Sequence, residues 1–205
     1  MIKHRFSALL LSALLLSVGA VAAQPDNVIR PIRGTIDSVN GNEVTITTRQ
    51  GEKLEVALTD KTKVNSVSKA NISDIKPDSF IGTAAVQQAN GSLKALEVHV
   101  FSPDLRGSGE GFNPFESADG NVNTMTNGTV GKLVNSNGRT MTVKVKDQEK
   151  TVIVPDDVPV VLITPGMRNL LQPGTKVVLH AVKDDKGQLV ARGISAGKDG
   201  LTPPM

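Results

Sequence analysis

The sequence predicts an all-β protein built from two tandem β-barrels, each with one short helix. Runs of alternating apolar and polar residues recur along the 205-residue chain and are separated by turn signals, above all Asn-Gly pairs. The second half of the chain matches the first at an offset of 96 residues, which indicates a duplicated folding unit. With 39 % hydrophobic residues, the chain also has enough apolar content to form folded cores.

The first half predicts five strands and one turn of helix. Strands are expected at residues 32–39, 44–47, 54–58, 79–88 and 93–101. Asn40 and Gly41 separate the first two strands, and both residues tolerate the positive φ of a tight hairpin. A short extended segment is expected at 62–67. A helical turn is expected at 71–75, because Pro77 cannot continue it.

The second half predicts the same layout. Strands are expected at residues 128–134, 139–146, 151–154, 175–183 and 188–195. Thr164 could cap a short helix with Pro165 at its first position, where the missing N–H costs nothing. Three strands, a short helix and two strands in about 70 residues is the order of an OB-like Greek-key barrel. A β-sandwich is the competing architecture, since counting strands does not determine closure.

The first 23 residues predict a cleaved secretory signal peptide. Lys3 and Arg5 precede an apolar run at 6–18, and the small residues up to Ala23 offer an A-x-A-like cleavage site. An uncleaved membrane anchor is the alternative, but a spanning helix needs about 20 apolar residues. We therefore expect a periplasmic or secreted protein with no membrane span after cleavage. Cleavage leaves 21 basic and 20 acidic residues, so no basic excess indicates nucleic acid as a partner.

The rest of the chain divides into the barrel of residues 31–101, a linker at 102–126, the barrel of 127–197 and a tail at 198–205. Three motifs carry a family resemblance: the paired Gly-Thr-Ile and Gly-Thr-Val segments, the step from Leu171 to Val177, and the Gly-rich start of the linker. With these motifs, the chain resembles the two-repeat form of a bacterial family of exported OB-like domains of unknown function. The resemblance implies a periplasmic address, and some relatives carry a transporter-related label.

The linker carries the candidate ligand-binding or partner-binding residues. Three of the four Phe residues that follow the signal peptide lie in or beside it. Long segments without regular structure tend to be functional or disordered. The predicted contact residues are Arg106, Glu110, Phe112 and Phe115. Alternatively, the aromatic side chains pin the linker across the gap between the barrels.

The sequence has little material for a metal site. The absence of Cys excludes disulfides and thiolate ligands. His99 and His180 are the histidines that remain after signal cleavage. His99 alternates with apolar neighbours, so we expect it on the polar face of a strand, where it could form a metal site with Asp104 or Glu110.

These observations predict an exported, non-enzymatic binding or scaffold module that uses the linker and the cleft between the barrels. Its expected partner is an envelope protein or a small ligand; no cofactor is expected, and the oligomeric state is not indicated. The chain has no Gly-x-Ser-x-Gly elbow for a hydrolase. It also lacks the Tyr and Trp that stack nucleic-acid bases. The alternative function is a periplasmic metal-handling accessory protein associated with a transporter, and an unrecognised hydrolase ranks third.

Overall fold

A computed structural model of the protein describes residues 28–135 and 137–205, and within them fourteen strands form one continuous sheet. The predicted signal peptide lies outside these residues. The first half of the chain, residues 28–101, contains β1 (Ile32–Asn40), β2 (Glu43–Thr48), β3 (Lys53–Ala57), β4 (Lys63–Lys69), β5 (Phe80–Gln87), β6 (Leu93–Ala95) and β7 (Val98–Phe101). The second half contains β8 (Gly111–Glu116), β9 (Val122–Leu133), β10 (Thr140–Val145), β11 (Gln148–Ile153), β12 (Val160–Pro165), β13 (Lys176–Lys183) and β14 (Leu189–Gly197).

The all-β prediction is confirmed, and the strands close into barrels. In the first barrel, β1, β2, β3, β14 and β13 are hydrogen-bonded in that order, and β13 returns to β1. In the second barrel, β5, β6, β11, β10 and β9 form the same kind of ring, and β9 returns to β5. Each ring encloses its own cluster of buried apolar side chains, which stabilises it through the hydrophobic effect.

Each barrel takes strands from both halves of the chain. The first barrel completes β1, β2 and β3 with two strands from the end of the chain, and the second completes β9, β10 and β11 with β5 and β6. Residues 31–101 and 127–197 are therefore not two separate barrels, which corrects the predicted boundaries. Alternating apolar residues show which side chains face a core, but they do not show which segment supplies the neighbouring strand.

The pairings that complete the barrels recur at the 96-residue offset. Leu93 of β6 pairs with Val152 of β11, and Leu189 of β14 pairs with Val56 of β3. Both pairings are parallel. The two halves thus present matching strand edges to each other, which allows each half to complete the barrel of the other half.

Strands β4 and β12 lie between the barrels and pair antiparallel, with Val67 opposite Ile163. β14 flanks β4 and β7 flanks β12, both in parallel pairing. These four strands, β14, β4, β12 and β7, form a bridge sheet that joins the barrels. A third apolar cluster covers its centre and includes Val67, Ile163 and Met205.

Several local predictions were wrong. The predicted linker is a β-hairpin, because β8 and the start of β9 lie within residues 102–126. Strand β8 was not predicted because it contains Pro114, although proline is tolerated in an edge strand. β8 has such a position, since it pairs with β9 and otherwise makes a single bridge to Ile29. The single helical turn expected at 71–75 is present as the 3-10 turn Ile72–Asp74, whereas the second lies at Arg168–Leu170, beyond its expected start. Thr164 and Pro165 end β12 and do not begin a helix.

Two glycines are required where the barrels close. A Cβ at Gly34 would lie 2.5 Å from the Thr47 carbonyl oxygen, and a Cβ at Gly128 would clash with the Lys144 carbonyl oxygen. Any side chain there would push neighbouring strands of a barrel apart. This steric requirement explains why the Gly-Thr-Ile and Gly-Thr-Val segments of the two halves both begin with glycine.

Candidate ligand-binding cavity between the barrels

The bridge sheet has one face turned toward the barrel cores and one turned away from them. Successive side chains of a strand point to opposite faces. Ile194, Val64 and Val100 belong to the apolar cores. The alternate positions Ser195, Asn65 and Phe101 therefore lie on the opposite face.

A cavity of about 320 Å³ lies over this opposite face, which is within the range of small-ligand sites. Its cover comes from Ile29, the turn at residues 107–109, the β8–β9 hairpin and Met205. The apolar part of the lining consists of Ile29, Phe101, Phe115, Met125, Ile163 and Met205. The polar residues are Asn65, His99, Ser108, Asn113, Asn127, His180 and Ser195, and Gly109 and Gly193 complete the lining.

The buried carboxylate of Glu97 lies beside the His99 imidazole. The His99 Nε2 atom lies 3.0 Å from Glu97 Oε1, and the two side chains are 2 % and 3 % exposed. Neither Glu97 oxygen has a hydrogen-bond partner among the described residues, and the same is true of His99 Nε2. Burying polar groups without hydrogen bonds is costly, so Glu97 and His99 form an incompletely satisfied polar pair beside the cavity. With Nε2 directed at Glu97, Nδ1 is the imidazole nitrogen left for another partner.

Asn127 adds a second incompletely bonded polar group. Its Nδ2 donates a 3.1 Å hydrogen bond to the Ser108 carbonyl oxygen. Its Oδ1 is buried and has no partner among the described residues. The opposing residue on β5 is Gly82, and a Cβ there would clash with Asn127 Oδ1. Gly82 therefore makes room for an amide oxygen that can accept a hydrogen bond from a ligand.

His180 lies on the first-barrel side of the cavity, opposite Gly193 in the β13–β14 pairing. The His180 side chain lines the cavity and reaches solvent there. Protein atoms nevertheless surround most of the imidazole ring. This partial burial lowers the pKa of His180, and the positive charge of Arg33 lowers it further. The neutral imidazole is thereby favoured, which can accept a hydrogen bond or ligate a metal.

Arg33 fastens the cover of the cavity to the first barrel. It is 8 % exposed, and its Nε donates a 2.6 Å hydrogen bond to the Met205 backbone oxygen. Another of its nitrogens, Nη2, donates to the Glu116 carbonyl oxygen at the end of β8. Its guanidinium also lies 5.7 Å from the centre of the Phe115 ring. Burial lowers the pKa of Arg33, and the charge of Arg49 adds to the effect.

The four predicted contact residues do not form one surface. Phe115 is 2 % exposed and lines the cavity, whereas Phe112 is 37 % exposed and lies beneath Lys150 Nζ at 5.1 Å. Arg106 forms a 2.8 Å ion pair with Asp78. Glu110 accepts a hydrogen bond from the Lys146 backbone N–H. Arg106, Glu110 and Phe112 therefore contact the second barrel or the turn before it through separate side-chain interactions.

The predicted metal residues are not brought together. Within residues 28–135 and 137–205, no group of three His, Cys, Asp or Glu side chains could hold a metal ion. His99 is buried beside Glu97, while Asp104 lies in the exposed 3-10 turn Pro103–Leu105 and Glu110 contacts Lys146. His99 does lie opposite the core-facing side chains of its strand, as expected, but the segments that cover the cavity bury it to 2 % exposure.

Sequence reasoning missed Glu97, Asn127, Met125 and Met205 as neighbours of the site. One signal was present. Leu93 and Ala95 face the barrel core, and so do Val98 and Val100, so the alternation changes phase around Glu97. A charged residue at such a break indicates an irregular strand. The other three positions are brought to the cavity by the exchange of strands and by the covering segments, which local patterns do not reveal.

No helix within the described part of the chain is long and apolar enough to cross a membrane. Comparisons with protein-family models, with curated proteins and with solved structures found no match to this chain. The cavity is consequently interpreted from its own chemistry.

Proposed function

We propose that the protein is an exported, non-enzymatic binding module whose ligand site is the cavity between the barrels. The observation that carries this proposal is the lining of the cavity: its surface is mostly apolar, and one of its polar side chains, Asn127, has a buried oxygen, Oδ1, without a partner among the described residues. Such a combination is typical of small-molecule sites, in which apolar contacts supply affinity and a few polar groups orient the ligand.

The ligand that fits this chemistry is a small, largely apolar molecule with a hydrogen-bond donor. The apolar part would pack between Phe101 and Phe115, and the donor would reach Asn127 Oδ1. A cavity of this size favours a small ligand over an envelope protein, because a folded partner needs a broad surface. Export is supported by the predicted signal peptide, and a non-enzymatic role by the lack of a nucleophile elbow in the sequence.

The finer architecture belongs to the same proposal. We infer that each half derives from one OB-like unit and that the chain is the two-repeat form of the family it resembles. The recurrence of the strand pairings at the 96-residue offset supports this inference. A periplasmic location follows from the resemblance and from the signal peptide.

Binding of an apolar fluorescent probe tests the proposed cavity. The chain has no Trp or Tyr, so the neutral dye 1-N-phenylnaphthylamine is measured against almost no protein fluorescence. A Cβ at Gly193 would meet its nearest atom, the Lys63 carbonyl oxygen, only at 3.8 Å. Gly193→Leu is therefore expected to fill the cavity with little strain on the backbone.

We expect the unchanged chain to bind one dye molecule saturably and Gly193→Leu to lose that binding. Arg192→Leu is the matched control, because it adds the same side chain at the neighbouring position, outside the cavity. No saturable binding by the unchanged chain, or equal binding by all three proteins, would contradict a ligand site in this cavity.

A further inference from the structure

The cavity brings together two types of soft metal-binding side chain. His99 and His180, the histidines of the described chain, line it together with Met125 and Met205. The residues come from β7, β13, β9 and the end of the described chain, so only the folded state assembles them. We propose that these four side chains form a site for a soft monovalent metal ion, Cu⁺ or Ag⁺.

The donor types determine which ion fits. Thioether sulfur favours soft ions such as Cu⁺, and imidazole is compatible with the same ions. Mg²⁺ and Ca²⁺ prefer carboxylate and carbonyl oxygens, and none of the residues that line the cavity is a carboxylate. The chain has no Cys, so no thiolate competes for a soft ion elsewhere.

Glu97 lies where it can support His99 as a metal ligand. Ligating histidines usually donate their other ring N–H to a carboxylate, which fixes the tautomer and orients the ring. His99 Nε2 and Glu97 Oε1 lie 3.0 Å apart without hydrogen-bond geometry, so a reorientation of either side chain would form this bond and leave Nδ1 for the ion.

The local charge also favours a monovalent cation. Glu97 is buried and neither of its oxygens has a hydrogen-bond partner among the described residues, so a single positive charge bound nearby would stabilise its carboxylate form. Arg33 is the nearby cation, but its guanidinium donates to the backbone oxygens of Met205 and Glu116 and lies 3.9 Å from Glu116 Oε1. Arg33 thus makes these contacts and no hydrogen bond to Glu97 Oε2.

The methionines can adapt to the ion. A Met side chain has three rotatable bonds, so its sulfur can move within a cavity of about 320 Å³. The hydrogen bond from Arg33 holds the Met205 backbone, which places that side chain over the bridge sheet. This inference uses the same cavity as the proposed function, but it does not require an organic ligand.

Titration of the full chain with Ag⁺, which needs no protection from oxidation, tests the site. Methionine methyl groups labelled with ¹³C report which sulfurs contact the ion. We expect saturation at one Ag⁺ per chain with shifts of the Met125 and Met205 methyl signals. Met167, which is 70 % exposed, and Met141, which is buried in the second barrel, are internal controls and should not shift.

Variants separate direct ligation from general effects. Met125→Leu, Met205→Leu and His180→Asn should each weaken Ag⁺ binding at least tenfold, and Met167→Leu should leave it unchanged. Glu97→Gln keeps the size of the side chain and should weaken binding by about 10-fold to 100-fold, the usual effect of losing a partner of a metal ligand. Thermal unfolding of each variant without Ag⁺ shows whether it is folded, and the methyl shifts are compared among the folded variants.

Several results would overturn the site: a shift of Met167 without saturation, unchanged affinity in the Met125 and Met205 variants, or Zn²⁺ binding as tight as Ag⁺ with the same methyl shifts. Tetramethylammonium binding that depends on Glu97, without Ag⁺ binding, would also overturn it in favour of an organic cation. Dye binding without Ag⁺ binding would reject the metal site and leave the proposed function standing. Ag⁺ binding without dye binding would reject the proposed site for an organic ligand and leave the metal site standing.

Discussion

The two halves of the chain contribute equivalent strands but different polar side chains. At the 96-residue offset, His99 corresponds to Ser195 and Glu97 to Gly193, and all of these except Glu97 line the same cavity. The bridge sheet is therefore nearly symmetric in its backbone pairing, while the chemistry on its cavity face is not. Stability constrains the positions that match, and the positions that differ are where a ligand site could develop.

The turns before β5 and β13 show how far the equivalence extends. Asp78 has φ 70° and Gly174 has φ 88°, both in the left-handed region. The Asp78 N–H donates to the Val130 carbonyl oxygen, and the Gly174 N–H donates to that of Ile36. One half uses glycine for this strained position and the other uses aspartate, which indicates that the backbone requirement, not the residue type, is shared.

Separating the halves is expected to have the largest effect. Fragments 28–105 and 106–205 each lack strands of both barrels, so neither should fold alone. Each should give a collapsed amide spectrum, and mixing them should restore the dispersed spectrum of the whole chain. A dispersed spectrum from either fragment as a monomer would show that a half can form its own barrel, as the sequence predicted.

Removing Phe115 tests the hairpin that only the second half contains. Phe115 is 2 % exposed and contacts Arg33, so Phe115→Ala should lower the free energy of unfolding by about 3–5 kcal/mol. Phe112→Ala is the control, since Phe112 is 37 % exposed, and it should cost less than about 1 kcal/mol. Urea unfolding measures both. Equal, small effects would mean that the hairpin does not pin the barrels together.

Substituting the paired glycines tests whether both barrels close in the same way. Gly34→Ala and Gly128→Ala should each destabilise the protein by about 1–3 kcal/mol, because the added methyl group clashes with a neighbouring backbone oxygen. Gly193→Ala provides the control, since a methyl group there has space. A large loss for only one of the two glycines would show that the closures differ.

Exchanging the turn residues should have a smaller effect. Gly174→Asp should cost about 1 kcal/mol, the scale of the left-handed penalty for a residue with a Cβ. Asp78→Gly should relieve similar strain, but it also loses an exposed ion pair with Arg106 and increases the flexibility of the unfolded chain. Its net effect should be smaller than that of Gly174→Asp in chemical unfolding. A stabilising Gly174→Asp would contradict the strain argument.

Lowering the pH should give the smallest effect. The pKa of His180 is lowered from its ordinary value of 6.5, so the unfolded chain takes up a proton at a higher pH than the folded chain does. The contribution of His180 is therefore present above about pH 6.5 and is lost as the pH falls from there through the folded pKa. His180→Gln should reduce the pH dependence of the melting temperature in this range. Identical pH profiles for both proteins would exclude the contribution of His180.

The sequence predicted most strands because each has a strong local signal. Asn40 and Gly41 form the first hairpin turn, and the alternation around Val44 places β2 correctly. The exchange of strands had no such signal, because β3 exposes the same edge whether its neighbour comes from one half or the other. The sequence did not predict which residues meet in the cavity between the barrels, for the same reason. His99 was singled out, but its cavity neighbours Met125 and His180 come from strands that are distant in sequence.

Strand β14 has a consequence for how the chain folds during synthesis. It pairs with β3, β4 and β13, so it completes the first barrel and one edge of the bridge sheet, and it follows the other thirteen described strands along the chain. At roughly 5–20 residues per second, β1, β2 and β3 wait roughly 6–24 s for β13. Until then their unpaired edges are open to aggregation. A chain that lacks β13 and β14 cannot cover these edges, so the arrangement couples folding of the first barrel to the synthesis of these two strands.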